Sequence, residues 1–294
     1  MNLTDYQEIK SLLERHNFRF SKSMGQNFLT ASWVPERIAE SALLDENTGA
    51  LEIGPGIGCL TEQLSKRAGK VISVELDKAL MPVLSETLTG CENVEVVFGD
   101  ALKMNIPKLV EQEFVSAGLK PVVCANLPYN VTSPVLTALI RPECFDSITV
   151  MIQREVARRI CATAGEQDYS AFGLFVQWYM KTEILFDVPP SCFVPMPKVT
   201  SSVIRLEKRE ERPCSVKDEK LMFGIIRAAF NQRRKTFVNA VNAAFPDVDK
   251  QHIEEAVISA GYDRNVRGEA IPVEGYAQIS DCLMDWAEKS KFIN

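Results

Sequence analysis

Histidine is nearly absent: His16 and His252 are the only two in 294 residues. The eight cysteines, at 59, 91, 124, 144, 161, 192, 214 and 282, include no pair at C-x-x-C spacing. These absences argue against a structural zinc site and a disulfide framework, so no metal and reduced thiols are expected. No uninterrupted apolar run is long enough to span a bilayer, and no membrane association is expected. Met1-Asn-Leu-Thr-Asp-Tyr6 lacks the basic and apolar regions of a secretion signal, which leaves the cytoplasm as the expected compartment. Internal repeats and low-complexity tracts are also missing. The net charge of -6 speaks weakly against a nucleic-acid partner, although a basic stripe can hide inside an acidic total.

What is present is an ordinary globular composition, 46% apolar and 24% charged, at a length that suits one large domain or two smaller ones. Ile9, Leu12 and Leu13 share one face of an opening helix. The segment Arg19-Phe-Ser-Lys-Ser-Met-Gly-Gln-Asn-Phe-Leu29 that follows is basic and free of acids. It reads as a surface arm or as a segment that folds over a ligand. Pro35 opens a helix. Strands are expected at Ala50–Gly54, Val71–Asp77, Asn93–Asp100, Pro121–Asn126 and Ile148–Gln153. The first two are each followed by a helical pattern, so a parallel sheet covered on both faces is expected. A helix from Tyr169 to Lys181 and strands at Leu185–Val188 and Val199–Leu206 come next. The loop Pro189–Pro197 is too rich in proline for a strand interior. The mixed charge run Glu207–Lys220 reads as a linker. Beyond it Phe223, Ile226, Phe230 and Phe237 recur near helical spacing. The expected division is therefore an α/β domain over residues 1–207 and an all-helical domain over 208–294.

Ligands of such sheets sit at the carboxyl ends of the strands. Gly54, Glu75, Asp100 and Asn126 all fall at or just past strand ends. In Gly54-Pro-Gly-Ile-Gly58, glycine lets the backbone turn tightly and approach a ligand, and a helix N-terminus favours negative groups. Glu75 ends the next strand, about 20 residues on, where a carboxylate can accept both hydroxyls of a ribose. Asp100 can accept from an adenine amino group. The ligand is then a dinucleotide or S-adenosylmethionine. The spacing G-x-G-x-G, the acid Glu52 before the first glycine and the acid at the third strand fit the methyl donor better.

Asn126-Leu-Pro-Tyr129 decides between them. An exocyclic adenine amine is a poor nucleophile, because its lone pair is delocalised into the ring. Two hydrogen-bond acceptors on its N–H groups pull the nitrogen toward a tetrahedral shape. The Asn126 side-chain oxygen is one such acceptor. The Leu127 carbonyl, held by Pro128, is a plausible second, and Tyr129 can stack on the base. Transfer then needs mainly alignment and proximity. Phe193 is a candidate for the base's other face.

Gly25-Gln-Asn-Phe-Leu29, Leu51-Glu-Ile-Gly-Pro-Gly-Ile-Gly58, Val74-Glu-Leu-Asp77, Gly99-Asp100, Asn126-Leu-Pro-Tyr129, Phe193-Val-Pro-Met-Pro-Lys-Val199 and Arg227-Ala-Ala-Phe-Asn-Gln-Arg-Arg-Lys235 appear in that order. Together they strongly resemble the ribosomal RNA adenine N6-dimethyltransferases, and the bacterial small-subunit branch most of all. The resemblance covers nearly the whole chain. It implies a Rossmann-like S-adenosylmethionine-dependent methyltransferase fold with a small C-terminal helical domain. It implies dimethylation of two adjacent adenines in the 3′-terminal hairpin loop of 16S rRNA, within the small subunit or its precursor, by a monomer. It places Asn27, Leu29, Gly54, Gly56, Glu75, Asp100 and Asn126 on the cofactor, and Tyr129 and Phe193 on the two faces of the target base. It also turns the arm over residues 19–29 into an expected lid. Cys59 stands where another small residue is expected in this family.

No acid occurs between Glu219 and Asp247, while Lys220, Arg227, Arg233, Arg234 and Lys235 are basic. Arg227, Asn231, Arg234 and Lys235 are expected on one helical face, opposite Phe223, Phe230 and Phe237, as a phosphate-binding surface. Arg154, Arg158 and Arg159 would extend that track. Three competing readings remain: a large-subunit 23S rRNA dimethyltransferase of the macrolide-resistance type, a non-catalytic ribosome assembly factor, and a NAD-dependent enzyme. The last lacks a convincing hydride-transfer site.

Overall fold

A computed structural model describes residues 1–18 and 26–291, with side chains through residue 285. In chain order the elements are α1 (Tyr6–Arg15), β1 (Phe28–Leu29), α2 (Trp33–Ser41), β2 (Thr48–Ile53), α3 (Cys59–Ser65), β3 (Lys70–Glu75), α4 (Met81–Thr87), β4 (Val94–Phe98), α5 (Ile106–Glu113), β5 (Lys120–Asn126), α6 (Thr132–Ile140) and β6 (Ser147–Gln153). They continue with α7 (Arg154–Cys161), α8 (Ala171–Tyr179), β7 (Met180–Val188), β8 (Phe193–Val194), β9 (Ser201–Lys208), α9 (Glu219–Asn231), α10 (Phe237–Ala244), α11 (Lys250–Ser259) and α12 (Val273–Lys291). They form two compact units. The first is Met1–Ala157 with Met180–Lys208, and the second is Arg158–Tyr179 with the chain from Arg209 onward.

The first unit is built on a seven-stranded sheet in the order β4-β3-β2-β5-β6-β9-β7. All six residues of β2 are buried, as are all of β6 except Gln153. Strands so uniformly buried need cover on both faces, which the crossover helices supply. The chain runs from β2 outward to β3 and β4, then returns to place β5 on the other side of β2. The crevice at that reversal opens at the ends of β2 and β5, where Gly54 and Asn126 stand. α1 carries Ile9, Leu12 and Leu13 into the core and is capped by Asp5, whose side chain accepts from the amides of Gln7 and Glu8.

Several expectations are corrected here. The sheet is mixed, because β9 runs antiparallel to both β6 and β7 and lies between them. The helix expected through Lys181 stops at Tyr179, and the strand expected from Leu185 starts at Met180. β7 alternates only loosely between buried and exposed positions, so its period is weak in sequence. α5, capped by Asn105, stands between β4 and β5 without having been anticipated. The proline loop does carry a short strand in its proline-free part: Phe193 pairs with Leu29 and Val194 with Phe28. Phe28 and Leu29 are buried, so this end of the expected surface arm is part of the core. Residues 19–25 of that arm lie outside the described residues.

The second unit is helical. Its boundary departs from the expected one, because Arg158–Tyr179 belongs to it and not to the sheet unit. α8 is apolar on most sides, and its partners are helical. Phe175 meets Phe223 edge-on at 5.9 Å between ring centroids, and Trp178 donates to the Glu219 carboxylate at 3.1 Å. Tyr169, just before α8, donates to the Ile271 carbonyl at 3.2 Å. The helix expected to run on past Lys235 is two helices. α9 ends at Asn231, and α10 starts anew at Phe237, capped by the Thr236 hydroxyl. No described helix is long and apolar enough to cross a membrane.

Candidate active site

One cavity of the first unit, enclosing about 1240 Å³ including its open mouth, lies over the carboxyl ends of β2, β3 and β5. Of the residues assigned from sequence, Asn27, Leu29, Gly54, Gly56, Glu75 and Asp100 line it. So do all four residues of Asn126–Tyr129.

The glycine loop is a sequence of left-handed turns. Gly54, Gly56 and Gly58 have φ of +73°, +61° and +90°, conformations that other residues rarely adopt. At Gly56 a Cβ would also stand 3.2 Å from the Phe28 ring, and at Gly58 one would stand 3.0 Å from Leu88. The loop thus carries the backbone along the cavity floor.

Glu75 ends β3 with its carboxylate held by backbone. The amide of Asp77 donates to Oε1 at 2.7 Å and that of Gly56 to Oε2 at 3.3 Å. Burial raises its pKa, and the two amide bonds oppose the shift. Asp100 accepts from the Leu102 amide at 3.0 Å and stands 3.5 Å from the Lys103 ammonium. Deeper in, Glu52 is 1% exposed. Its Oε2 accepts from the hydroxyls of Thr61 and Ser73, each at 2.7 Å. Burial pushes this carboxyl up to about 7, against the pull of those two hydroxyls, and Glu75 adds to the rise. Cys59 is buried with its thiol pushed up to about 12 by burial and then by Glu52, so it is an inert filler of the loop.

At the end of β5, Asn126 pairs with Met151 through the ladder, and the Leu127 amide donates to the Met151 carbonyl at 3.1 Å. This fixes where the strand stops. Leu127 is 1% exposed, so its side chain anchors the turn in the core. The Asn126 side-chain amide has no hydrogen-bond partner among the described residues, although it lines the cavity. Tyr129 shares a hydrogen bond of 2.6 Å with Ser201, the first residue of β9, and burial raises the pKa of its phenol.

One assigned residue lies outside the cavity lining. Phe193 is 4% exposed, packs in the core of the first unit and does not line the cavity. Of the two expected stacking rings, only Tyr129 reaches it. Four residues were missed from sequence. Leu76 and Leu102 are large exposed apolar side chains, and both line the cavity next to the acids Glu75 and Asp100. An apolar residue just beyond a strand-ending acid was the available signal. Gln26 anchors the approach to β1 by donating to Asp77 at 2.7 Å. Ser201 carried no local signal at all.

The profile of ribosomal RNA adenine dimethylases matches residues 17–285. The chain belongs to this family. It is an S-adenosylmethionine-dependent ribosomal RNA adenine dimethyltransferase. It is 44% identical over 287 residues to the ribosomal RNA small subunit methyltransferase A of Clostridium perfringens, covering 96% of this chain and 98% of that protein. It is 41% identical to the enzyme of the same name from Geobacillus thermodenitrificans, covering 94% of each. Among solved structures it resembles the 23S rRNA methyltransferase ErmE, with 26% identity, a TM-score of 0.67 and coverage of 87% of this chain and 99% of that one. A dimethyladenosine transferase from Plasmodium falciparum shares the fold, with 24% identity, a TM-score of 0.74 and coverage of 89% and 98%.

In this dimethylase the basic residues of the second unit do not form one helical face. Arg227 lies on α9 and is exposed, whereas Arg233, Arg234 and Lys235 lie in the turn after that helix. Arg233 is engaged. It pairs with Glu269 at 3.0 Å and donates to the Gln167 carbonyl at 3.0 Å, tying the α9–α10 turn to the segment before α8. Arg227, Arg234 and Lys235 are exposed and have no ion-pair partner among the described residues. Arg154 faces Asp187 at 3.6 Å, and Arg158 is exposed on α7.

Proposed function

We propose that the chain dimethylates the N6 amino groups of two adjacent adenines in the 3′-terminal hairpin loop of 16S rRNA, during assembly of the small subunit. The observation that carries this reading is Asn126, whose side-chain amide has no hydrogen-bond partner among the described residues and stands at a strand end in the same cavity as Glu75, Asp100 and the glycine loop. The identities of 41–44% to small-subunit methyltransferases support the choice of RNA.

The residues present fit S-adenosylmethionine. Glu75 offers a buried carboxylate preset by two backbone amides, with room on its oxygens for ribose hydroxyl donors. The left-handed glycine loop leaves the floor free of side chains, and Leu76 and Leu102 supply apolar cover for a purine. The cofactor supplies an electrophilic methyl group on a sulfonium. The chain's own work is on the target amine. The Asn126 side-chain oxygen accepts one N–H and the Leu127 carbonyl the other. Both bonds strengthen as the nitrogen becomes tetrahedral, so they favour the transition state over the ground state. Tyr129 stacks on the base and holds the amine in line. A hairpin-loop adenine enters at lower cost than a paired one, because less stacking is lost. After the first methyl one N–H remains, and a single acceptor suffices for the second. Arg227, Arg234 and Lys235 contact phosphates of the RNA, with Arg154 and Arg158 as further contributors. The enzyme acts as a cytoplasmic monomer.

The test uses labelled S-adenosylmethionine with undermethylated small and large ribosomal subunits in separate reactions. Label recovered as dimethyladenosine near the 3′ end of small-subunit RNA is the expected result. Label in the large subunit alone would assign the chain to the 23S type, and cofactor binding without transfer to either would make it an assembly factor.

A further inference from the structure

β9 is the one strand beside β6 that runs against it, and this has a consequence for the site. The five parallel strands β2 to β6 run toward the cavity edge of the sheet and end there. An antiparallel neighbour delivers its first residue there instead. Ser201 pairs across the sheet with Gln153, the last residue of β6, and with Val188, the last of β7. It is fully buried, and its hydroxyl lies 2.6 Å from the phenol oxygen of Tyr129.

We propose that Ser201 is a positioning residue for base methylation: its hydroxyl tethers the Tyr129 phenol and sets the plane on which the target adenine stacks. The inference rests on the adenine-methylating reading given above. Tyr129 lies in a short turn, Tyr129–Val131, just beyond the end of β5, and it is half-buried. A phenol ring in that setting has two strong torsional freedoms and one polar end. The buried polar end needs a partner, and Ser201 is the partner present. With the phenol oxygen pinned to a sheet strand, the ring's plane becomes a property of the sheet and not of the turn. The hydrogen bond ties the phenol oxygen to the strand and leaves the ring face for the base. Burial raises the pKa of the phenol, which favours the neutral form that holds this bond.

The experiment compares wild type with Ser201→Ala, Ser201→Thr, Tyr129→Phe and the Ser201→Ala/Tyr129→Phe double variant. Single-turnover methyl transfer to undermethylated small-subunit RNA gives the rate. An RNA hairpin carrying 2-aminopurine at the target position reports stacking through fluorescence quenching. Losing one hydrogen bond of ordinary strength predicts about a 3- to 10-fold slower transfer in Ser201→Ala and in Tyr129→Phe. The double variant is then no slower than either single one, because both remove the same contact. Ser201→Thr, which keeps the hydroxyl, restores most of the rate, and quenching of 2-aminopurine is weaker wherever the bond is lost. Wild-type transfer with an unchanged rate and unchanged quenching in Ser201→Ala would overturn the tether. So would multiplicative losses in the double variant, or a loss that follows the melting temperature and persists in Ser201→Thr. Absence of transfer by the wild type itself would instead overturn the functional reading beneath it.

Discussion

Replacing Glu52 by glutamine is expected to stabilise the ligand-free protein at and above neutral pH. Glu52 is almost completely buried, it accepts from two hydroxyls, and the nearest charged group acting on it is another carboxylate, Glu75. Its pKa rises from 4.5 to about 7 on folding, with burial as the main cause. Below the unfolded value both states hold the proton, and the carboxyl has no pH-dependent effect. Between 4.5 and about 7 the unfolded chain has lost the proton while the folded one still binds it, so stability falls as pH rises. Above about 7 the loss is complete. A rise of roughly 2.5 units at ~1.36 kcal/mol each amounts to about 3 kcal/mol. Glutamine does not titrate, and its side-chain oxygen can accept from Thr61 and Ser73 as the acid does. Urea unfolding followed by circular dichroism at pH 5, 6, 7 and 8 measures the difference. The wild type should lose most of that, roughly 2–3 kcal/mol more than the Glu52→Gln variant between pH 5 and 8, because part of the loss has already occurred by pH 5. Parallel pH profiles for the two proteins would refute the reasoning, since they would mean that Glu52 ionises in the folded state as readily as in the unfolded one.

Asn126→Ala should leave cofactor affinity largely intact and slow methyl transfer about 100-fold, the typical cost of one well-placed electrostatic partner; rapid-quench transfer assays that returned a near-normal rate would remove Asn126 from the amine clamp. Glu75→Gln loses the charge and one of the two acceptor oxygens that hold the Asp77 and Gly56 amides, so calorimetry should find S-adenosylmethionine bound roughly 10-fold more weakly. An unchanged affinity would place the ribose elsewhere. Arg234→Ala with Lys235→Ala should lower the slope of log affinity for RNA against log salt by about 2. Arg233→Ala should instead lower stability by about 1 kcal/mol, through loss of its Glu269 and Gln167 contacts, with little change in that slope. Equal slope changes in the two variants would mean that Arg233 leaves its pairing to bind phosphate.

The sheet's parallel half was legible because burial on both faces forces continuous apolar runs, and each run ends in a residue of a different character. Gly54, Glu75, Asp100 and Asn126 break their runs with glycine or polar groups that only a ligand edge explains. The antiparallel half was not, because β7 is partly exposed and its alternation is loose. Its first residues follow α8 without a break, so helix and strand merged in the reading. The basic turn was misread for a related reason. Phe223, Phe230 and Phe237 keep helical spacing across an interruption, since both α9 and α10 turn aromatic residues inward. The sequence therefore showed the period but not the break over residues 232–236 or the new cap at Thr236. Partnerships between distant residues were also out of reach. The Arg233–Glu269 pair, the Phe193–Leu29 pairing and the Ser201–Tyr129 bond each depend on the completed fold.

The pairing of Phe28 and Leu29 with Val194 and Phe193 also sets an order of events during synthesis. Phe28 and Leu29, on one wall of the cavity, leave the ribosome before most of its lining, yet their strand partner lies more than half the chain behind them. β9, which closes the outer edge of β6, emerges later still. A nascent chain can assemble β2 through β6 early, from neighbours in sequence, but its cavity remains open on the side of β1 until residue 194 is available. The β1 side of the cavity is therefore completed late, by a contact between segments far apart in the chain.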